Sequence, residues 1–194
     1  MLKQYSLVFL LLFSAFLLVK GQEYQIPTYQ VSVSFFGEML THRGFRLGLT
    51  TPLSQQIVKS ENGQGVNRAW VVGGYLTYYR HPRNHHGLML TGAIGRQRIG
   101  RSGLMTQMNF EAGYMLSVLD GEVYARENDQ IVSGTKGSSH MVLGFNGGMG
   151  WDFGKKSHVP LSIMIQPHFY LQTPYNTLAA PRFALETKLS YTLK

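Results

Sequence analysis

The sequence predicts an all-β protein: an eight-stranded antiparallel up-and-down transmembrane β-barrel preceded by a cleaved signal peptide. Three observations carry that expectation. The stretch Arg182–Lys194 sets Phe183, Leu185, Leu189, Tyr191 and Leu193 on one parity, broken only by Thr187, against Arg182, Ala184, Glu186, Lys188, Ser190 and Thr192 on the other. That is a two-faced strand, long enough to cross a bilayer at a tilt, for which about 9–11 residues are needed. The chain opens with Lys3 and an apolar run from Leu7 to Val19, then Val19-Lys20-Gly21, which has the charge, length and small residues of a secretory signal and its cleavage site. Only 14% of residues are charged, while 22 of 194 are glycine and 12% are aromatic, a mixture suited to many tight strands and turns.

The expected organisation is a signal peptide over 1–21 and a single barrel domain over 22–194, with the mature chain starting near Gln22. The leader is too short for a membrane helix of about 20 residues, and no later apolar run approaches one. A chain integral to a membrane must then be a closed barrel, because lipid offers the backbone no hydrogen bonds. Cysteine is absent, which excludes both a disulfide framework and a lipid-modified N-terminal cysteine. The formal charge of +8 falls by the two charges of Lys3 and Lys20 to +6 on cleavage. The basic residues are scattered and form no basic helix, so nucleic acid is not an expected partner. Outer-membrane lipid, lipopolysaccharide or another anionic surface partner is.

The first strand, Tyr29 to Met39, places Tyr29, Val31, Val33 and Phe35 opposite Gln30, Ser32, Ser34, Phe36 and Glu38. After a turn at Thr41–Gly44, Phe45, Leu47 and Leu49 alternate with Arg46, Gly48 and Thr50 until Pro52, where a strand is expected to end. Ser54 to Val66 is polar and reads as a loop. The third strand, Asn67 to Arg80, is apolar on both parities, and His81–His86 reads as a turn. In the fourth, Leu88, Leu90 and Ile94 oppose Thr91, Ala93, Gly95 and Gln97, before a basic rim of Arg96, Arg98 and Arg101. The fifth alternates from Leu104 to Val118. Leu119 to Ser139 is the longest polar segment and is expected to project as a hairpin. Strands six (Met141 to Phe153) and seven (Val159 to Tyr170) follow, joined by Gly154–Ser157, and a connection containing Pro174 and Pro181 leads to the closing strand. An even count returns both termini to the periplasmic side, where turns are short. Ser54–Val66 is then anomalously long, as if a strand were hidden in it.

Once such a sheet closes, the apolar parity must face lipid and the polar parity the lumen. This places Glu38, Arg46, Glu111, His140, Asp152, His168, Arg182, Glu186 and Lys188 inside. Eight strands leave room only for side chains, so these charges should pair into a hydrogen-bonded plug. Tyr29, Trp70, Tyr78, Trp151, Phe153, Phe169 and Tyr191 lie near strand ends, where interface girdles belong. The bland alternative is a soluble periplasmic β-sandwich or lipid carrier with the same residues in its core.

No catalytic, cofactor or metal site is expected. Arg80, His81, Arg83, His85 and His86 crowd one turn and are a candidate contact for an anion such as lipopolysaccharide phosphate. The same histidines are a weak candidate for a transition metal, with no carboxylate or cysteine near them in sequence. An enzyme reading would use His140 with Ser138 or Ser139, or His168 with Ser162 and Glu186. The simpler role for both histidines is in the plug.

Three stretches, Tyr78–Leu88, Leu116–Tyr124 and Pro174–Glu186, resemble a family of small outer-membrane β-barrels of Bacteroidetes-type bacteria, and the resemblance covers the chain from about Val31 onward. More broadly the chain is similar to the eight-stranded OmpA-like and OmpX-like barrels. The resemblance implies a structural, adhesive or stress-related role and carries over no catalytic residue. The chain departs from it in ending Tyr191-Thr-Leu-Lys194 where such barrels often end on an aromatic.

Overall fold

The computed structural model describes residues 29–59, 65–127, 130–134, 136–157, 159–175 and 178–193. The segment expected as a signal peptide lies outside them. Ten strands are described: β1 Tyr29–Glu38, β2 His42–Lys59, β3 Gly65–His81, β4 His85–Ile99, β5 Leu104–Leu119, β6 Tyr124–Glu127, β7 Gln130–Ser133, β8 Gly137–Asp152, β9 Leu161–Tyr175 and β10 Leu178–Leu193. Eight of them form a closed ring in the order β1-β10-β9-β8-β5-β4-β3-β2, and β6 and β7 pair separately. All neighbours are antiparallel, and the ring closes where β1 meets β10, from Tyr29↔Leu193 to Glu38↔Ala184. Closure leaves no free edge to satisfy in a solvent that cannot hydrogen-bond.

Period-two alternation decides which way each side chain points. On β4 every second residue from His85 to Ile99 is buried, and Leu88, Leu90 and Ile94 face outward. The same division holds on β5, with Met105, Gln107, Asn109 and Glu111 inside and Met108, Phe110 and Tyr114 outside. Cross-strand aromatic pairs such as Phe45–Tyr78, Phe110–Phe145 and Phe169–Phe183 cover the outer wall. An outer surface of Leu, Ile, Val and aromatic side chains enclosing a polar interior inverts the usual globular arrangement and matches a lipid-facing wall.

The third strand, apolar on both parities, is resolved by glycines. Tyr75 and Tyr79 are buried in the lumen, directly opposite Gly48 on β2 and Gly87 on β4. A methyl group on Gly48 would come within 2.6 Å of the Tyr75 ring, and one on Gly87 within 2.3 Å of the Tyr79 ring. Inward tyrosines therefore need bare backbone beside them, and aromatic–glycine pairing of this kind also pins register.

Two expected connections prove to be strand. β2 does not end at Pro52: it runs to Lys59, and Ser54–Val66 is mostly the continuation of the β2–β3 ladder. The register shifts between Pro52 and Ser54, leaving Leu53 as an extra residue. This bulge accommodates a proline that cannot donate to the ladder. No further strand is needed there, although residues 60–64 fall outside the described ones. Likewise Pro174 and Pro181 belong to β9 and β10, with Pro181 opposite Leu171 and a register shift between Leu178 and Ala180. Gly154–Ser157 forms one helical turn between β8 and β9.

Most ring strands are 15–18 residues long, more than a crossing requires, while β1 has 10. The surplus at one end of β5 and β8 continues into the β6–β7 ladder, whose base is tied by Leu119 N–H donating to Lys136 O at 2.8 Å. Long loops mark the extracellular end of such barrels, which puts this hairpin outside and the termini on the periplasmic side.

Candidate functional site: polar lumen and extracellular rim

Along the strands the lumen is layered. Phe36, Tyr79, Met89, Met115, Val142, Tyr170 and Ala184 form an apolar cluster toward the hairpin end, and Ile99, Met105 and Met164 form another toward the opposite end. Between them, Arg46 from β2 is the hub. Its Nη2 donates to Glu111 Oε1 at 2.6 Å, its Nε lies 4.0 Å from Glu186 Oε2, and its guanidinium sits 4.0 Å from the Tyr75 ring centroid. Glu186 also accepts from Ser34 Oγ and pairs with His168 Nε2, each at 2.5 Å. Glu111 accepts from Asn146 Nδ2, and Asn146 Oδ1 accepts from Asn109 Nδ2 at 2.8 Å. Gln107 donates to Asn109 Oδ1 at 3.1 Å and accepts from Lys188 Nζ at 3.2 Å. Two carboxylates thus face Arg46 and Lys188 in a space that excludes unpaired charge.

A second group lies nearer the hairpin end. Glu38 is bound by His42 and lies 3.5 Å from both Arg182 Nη1 and the Tyr170 hydroxyl. His42 stacks on His81 at 3.8 Å, and His81 meets His85 edge-on at 5.3 Å.

Seven of the nine residues assigned to the lumen from sequence therefore meet in these two groups: Glu38, Arg46, Glu111, His168, Arg182, Glu186 and Lys188. Two do not. His140 faces inward at the rim, where Nδ1 lies 2.6 Å from the Pro174 carbonyl and Nε2 2.9 Å from Ser138 Oγ. Asp152 sits at the periplasmic mouth, where its Oδ1 accepts from Gly154 N–H at 2.7 Å and caps the helical turn. Its place at the strand end, two residues before a glycine turn, makes capping its first use. Ser34, Asn109, Asn146 and Gln107 lie on the polar parity, and only closure shows that they link the charges. His42 shares the inward parity of Arg46 but falls in the stretch expected as the Thr41–Gly44 turn, and Tyr75 lies on a strand that is apolar on both parities.

The basic turn is split between two faces. Only Pro82–Asn84 form the turn; His81 ends β3, and His85 and His86 open β4. His85 is 8% exposed and inward, whereas Arg80 and Arg83 are exposed. His86 points outward to Tyr78 and to Asp120, at 2.9 Å from Oδ1, and Arg80 lies 3.7 Å from the same carboxylate. A carboxylate from the end of β5 thus sits beside this turn in space though not in sequence. Among the described residues, no three His, Asp or Glu side chains converge on a point that a metal could occupy. Ser162 and His168 are not brought together as a pair; the serine bound to Glu186 is Ser34.

No protein-family pattern and no curated protein sequence matches the chain. Among solved structures, Neisserial surface protein A superposes with a TM-score of 0.51 at 8% identity, covering 89% of this chain and all of that one. Ail, the attachment invasion locus protein of Yersinia pestis, gives a TM-score of 0.45 at 10% identity over 86% of this chain and 97% of its own. The outer membrane enzyme PagL gives 0.40 at 17% identity over 82% and 97%. The first of these likenesses extends to the fold alone. A wall closed on itself, apolar outside and polar within, adds the solvent that the wall was built for: the chain is an eight-stranded antiparallel β-barrel of the outer membrane.

Proposed function

We propose that the protein is a non-enzymatic outer-membrane barrel whose plugged, rigid wall holds the β6–β7 hairpin outside the cell against a surface partner. The observation that carries this reading is the hairpin. It is a paired ladder from Tyr124↔Ser133 to Glu127↔Gln130, continuous with β5 and β8, above a lumen filled by interlocked side chains. Binding functions concentrate on loops held by rigid scaffolds. Over 119–139 the segment carries Asp120, Glu122, Glu127 and Asp129 against Arg126 and Lys136, so it is acidic on a basic chain and suits a partner with a basic face. The nine lumen residues named from sequence then serve stability, and Arg80, Arg83 and His86 offer lipopolysaccharide a contact weakened by Asp120. The reading includes cleavage of residues 1–21 and kinship with the Bacteroidetes-type family, supported by the leader pattern and the three stretches quoted above.

One observation favours a second reading, a lipid-modifying enzyme. His140 Nδ1 faces a carbonyl, so Nε2 is left as the acceptor for Ser138 Oγ at 2.9 Å, the arrangement of a base and its nucleophile. Against it, the pair faces inward and the carbonyl supplies no charge to stabilise an imidazolium.

One experiment separates the two. The intact protein and a variant with residues 122–134 replaced by a short Asn-Gly turn are immobilised in lipid nanodiscs. They are exposed to panels of basic extracellular proteins and of sulfated glycans. Binding to a basic protein that disappears with the hairpin supports the surface-partner reading; retained binding, or binding only to sulfated glycans, overturns it. Lipid A recovered from cells making wild type or Ser138→Ala should have identical masses, and a Ser138-dependent change would establish the enzyme.

A further inference from the structure

The outer wall is interrupted at one place. Arg68 on β3 and Arg96 and Arg98 on β4 lie on the lipid-facing parity, with Arg68 directly opposite Arg98 and Trp70 directly opposite Arg96. Like charges directly opposite across strands repel. None of the three guanidiniums makes an ion pair or hydrogen bond with a described residue. Such residues on a lipid face are tolerable only near the interface, where the cost of a charged side chain falls away. The half-exposed Trp70 marks that level, since indole rings settle among headgroups.

The same three arginines flank a groove of about 900 Å³ whose floor is Met108, Gly147, Met149, Ile165 and Pro167. Its rows follow the ladders, with Arg96 opposite Met108 and Met108 opposite Gly147, then Arg98 opposite Thr106 and Thr106 opposite Met149. One row nearer the hairpin end the wall is apolar at Ile94, Phe110 and Phe145. The groove therefore leads from a cationic edge into the hydrocarbon-facing band. Gly147 creates the depression. A methyl group there would meet Met108 Cγ at 3.6 Å, an ordinary contact, so no backbone constraint requires glycine at this position.

We propose that Arg68, Arg96 and Arg98 bind the phosphate of an anionic glycerophospholipid of the periplasmic leaflet, and that one acyl chain lies in the groove over Gly147. A planar guanidinium is suited to phosphate oxygens, and three of them around one anion remove the repulsion between Arg68 and Arg98. The site lies at the end of β3 and β4 away from the β6–β7 hairpin, the side on which both termini emerge. This fixes glycerophospholipid, and not lipid A, as the occupant. The inference is independent of the surface-partner reading.

The test uses Trp70 as reporter, in the full mature protein carrying Trp151→Phe. It is reconstituted in phosphatidylcholine vesicles containing a minor fraction of brominated phosphatidylglycerol or, separately, brominated phosphatidylcholine. The expected result is roughly fivefold enrichment of the anionic lipid beside Trp70, as expected when an interfacial arginine contributes its usual attraction. Enrichment should vanish in R68Q/R96Q/R98Q and fall in Gly147→Leu, which fills the groove and keeps the charges. Arg80→Gln at the opposite end should leave it unchanged. Each variant is first checked for folded electrophoretic mobility; if the triple variant does not fold, Arg96→Gln and Gly147→Leu decide. Equal quenching by the two brominated lipids, or enrichment that survives these substitutions, overturns the proposal. Preferential displacement by lipid A over unlabelled phosphatidylglycerol overturns the assignment to the periplasmic leaflet.

Discussion

Glu186 shows what a single lumen side chain does. It receives Ser34 and His168 and faces Arg46, with almost no exposure. Glu186→Ala removes the shared acceptor, leaving His168 and Ser34 without that bond and Arg46 with one carboxylate where it had two. Breaking a buried charged network by removing one partner costs about 3–5 kcal/mol. Urea titration in lipid vesicles, followed by tryptophan fluorescence, should show a loss of that size. Glu186→Gln, which keeps the shape and a hydrogen-bonding oxygen, should lose less. Equal stability of Glu186→Ala and wild type would show that the lumen network is ornamental to folding. The sequence revealed Glu186 through parity alone, because Lys188 and Ala184 flank it on the same face of a cleanly alternating strand. It concealed Tyr75, since a tyrosine among valines on β3 carries no sign of which face it takes. The deciding partner is Gly48, 27 residues away and visible only in the register.

At the scale of the element, the bulge at Leu53 is the instructive case. Above it, even-numbered residues of β2 such as Arg46 and Gly48 point inward; below it Ser54 stands opposite the outward Trp70, and Gln55 opposite the inward Ala69. One extra residue exchanges the two faces, so the alternation that identifies a strand is broken where the strand is still continuous. The polar residues that follow then read as a loop. Pro174 and Pro181 misled in the same way, each residing in a strand that accommodates a missing N–H. By contrast the hairpin of 119–139 was legible as a projecting segment from its turn residues. The bulge also predicts an asymmetry between deletions. Removing Leu53 leaves Pro52 opposite Val71 and Ser54 opposite Trp70, so the barrel should still fold. Removing Ile94 from the regular β4 ladder turns Arg96 and Arg98 inward and should abolish folding. Electrophoresis of unboiled samples reports both outcomes, and a folded Ile94 deletion would mean that register is held less tightly than the ladders imply.

For the molecule as a whole, closure is the property on which all else depends. A ring without edges keeps its hydrogen bonds in detergent, so the intact protein should partition with the outer membrane and migrate differently in electrophoresis before and after boiling. Recovery in the soluble periplasm with no such change would mean that the outward Leu, Ile and Phe side chains pack against protein instead of lipid. Localisation and ring architecture were readable because composition and alternation agree. The partner was not, because a hairpin's shape and charge constrain a class of surface and no more.

The seam between β1 and β10 joins residues 146 to 164 positions apart, with ten pairs from Tyr29↔Leu193 to Glu38↔Ala184. Every other ring ladder links strands consecutive in the chain or separated by the β6–β7 hairpin alone, so each can zip locally. The seam cannot, because contacts of such high order bear the full entropy of bringing distant segments together. β1 is the first strand to emerge and the last to find its second neighbour. Throughout that interval it presents an unpaired edge, the template on which other chains add and aggregate. Until the last strand pairs with β1, that edge stays open to association with other chains.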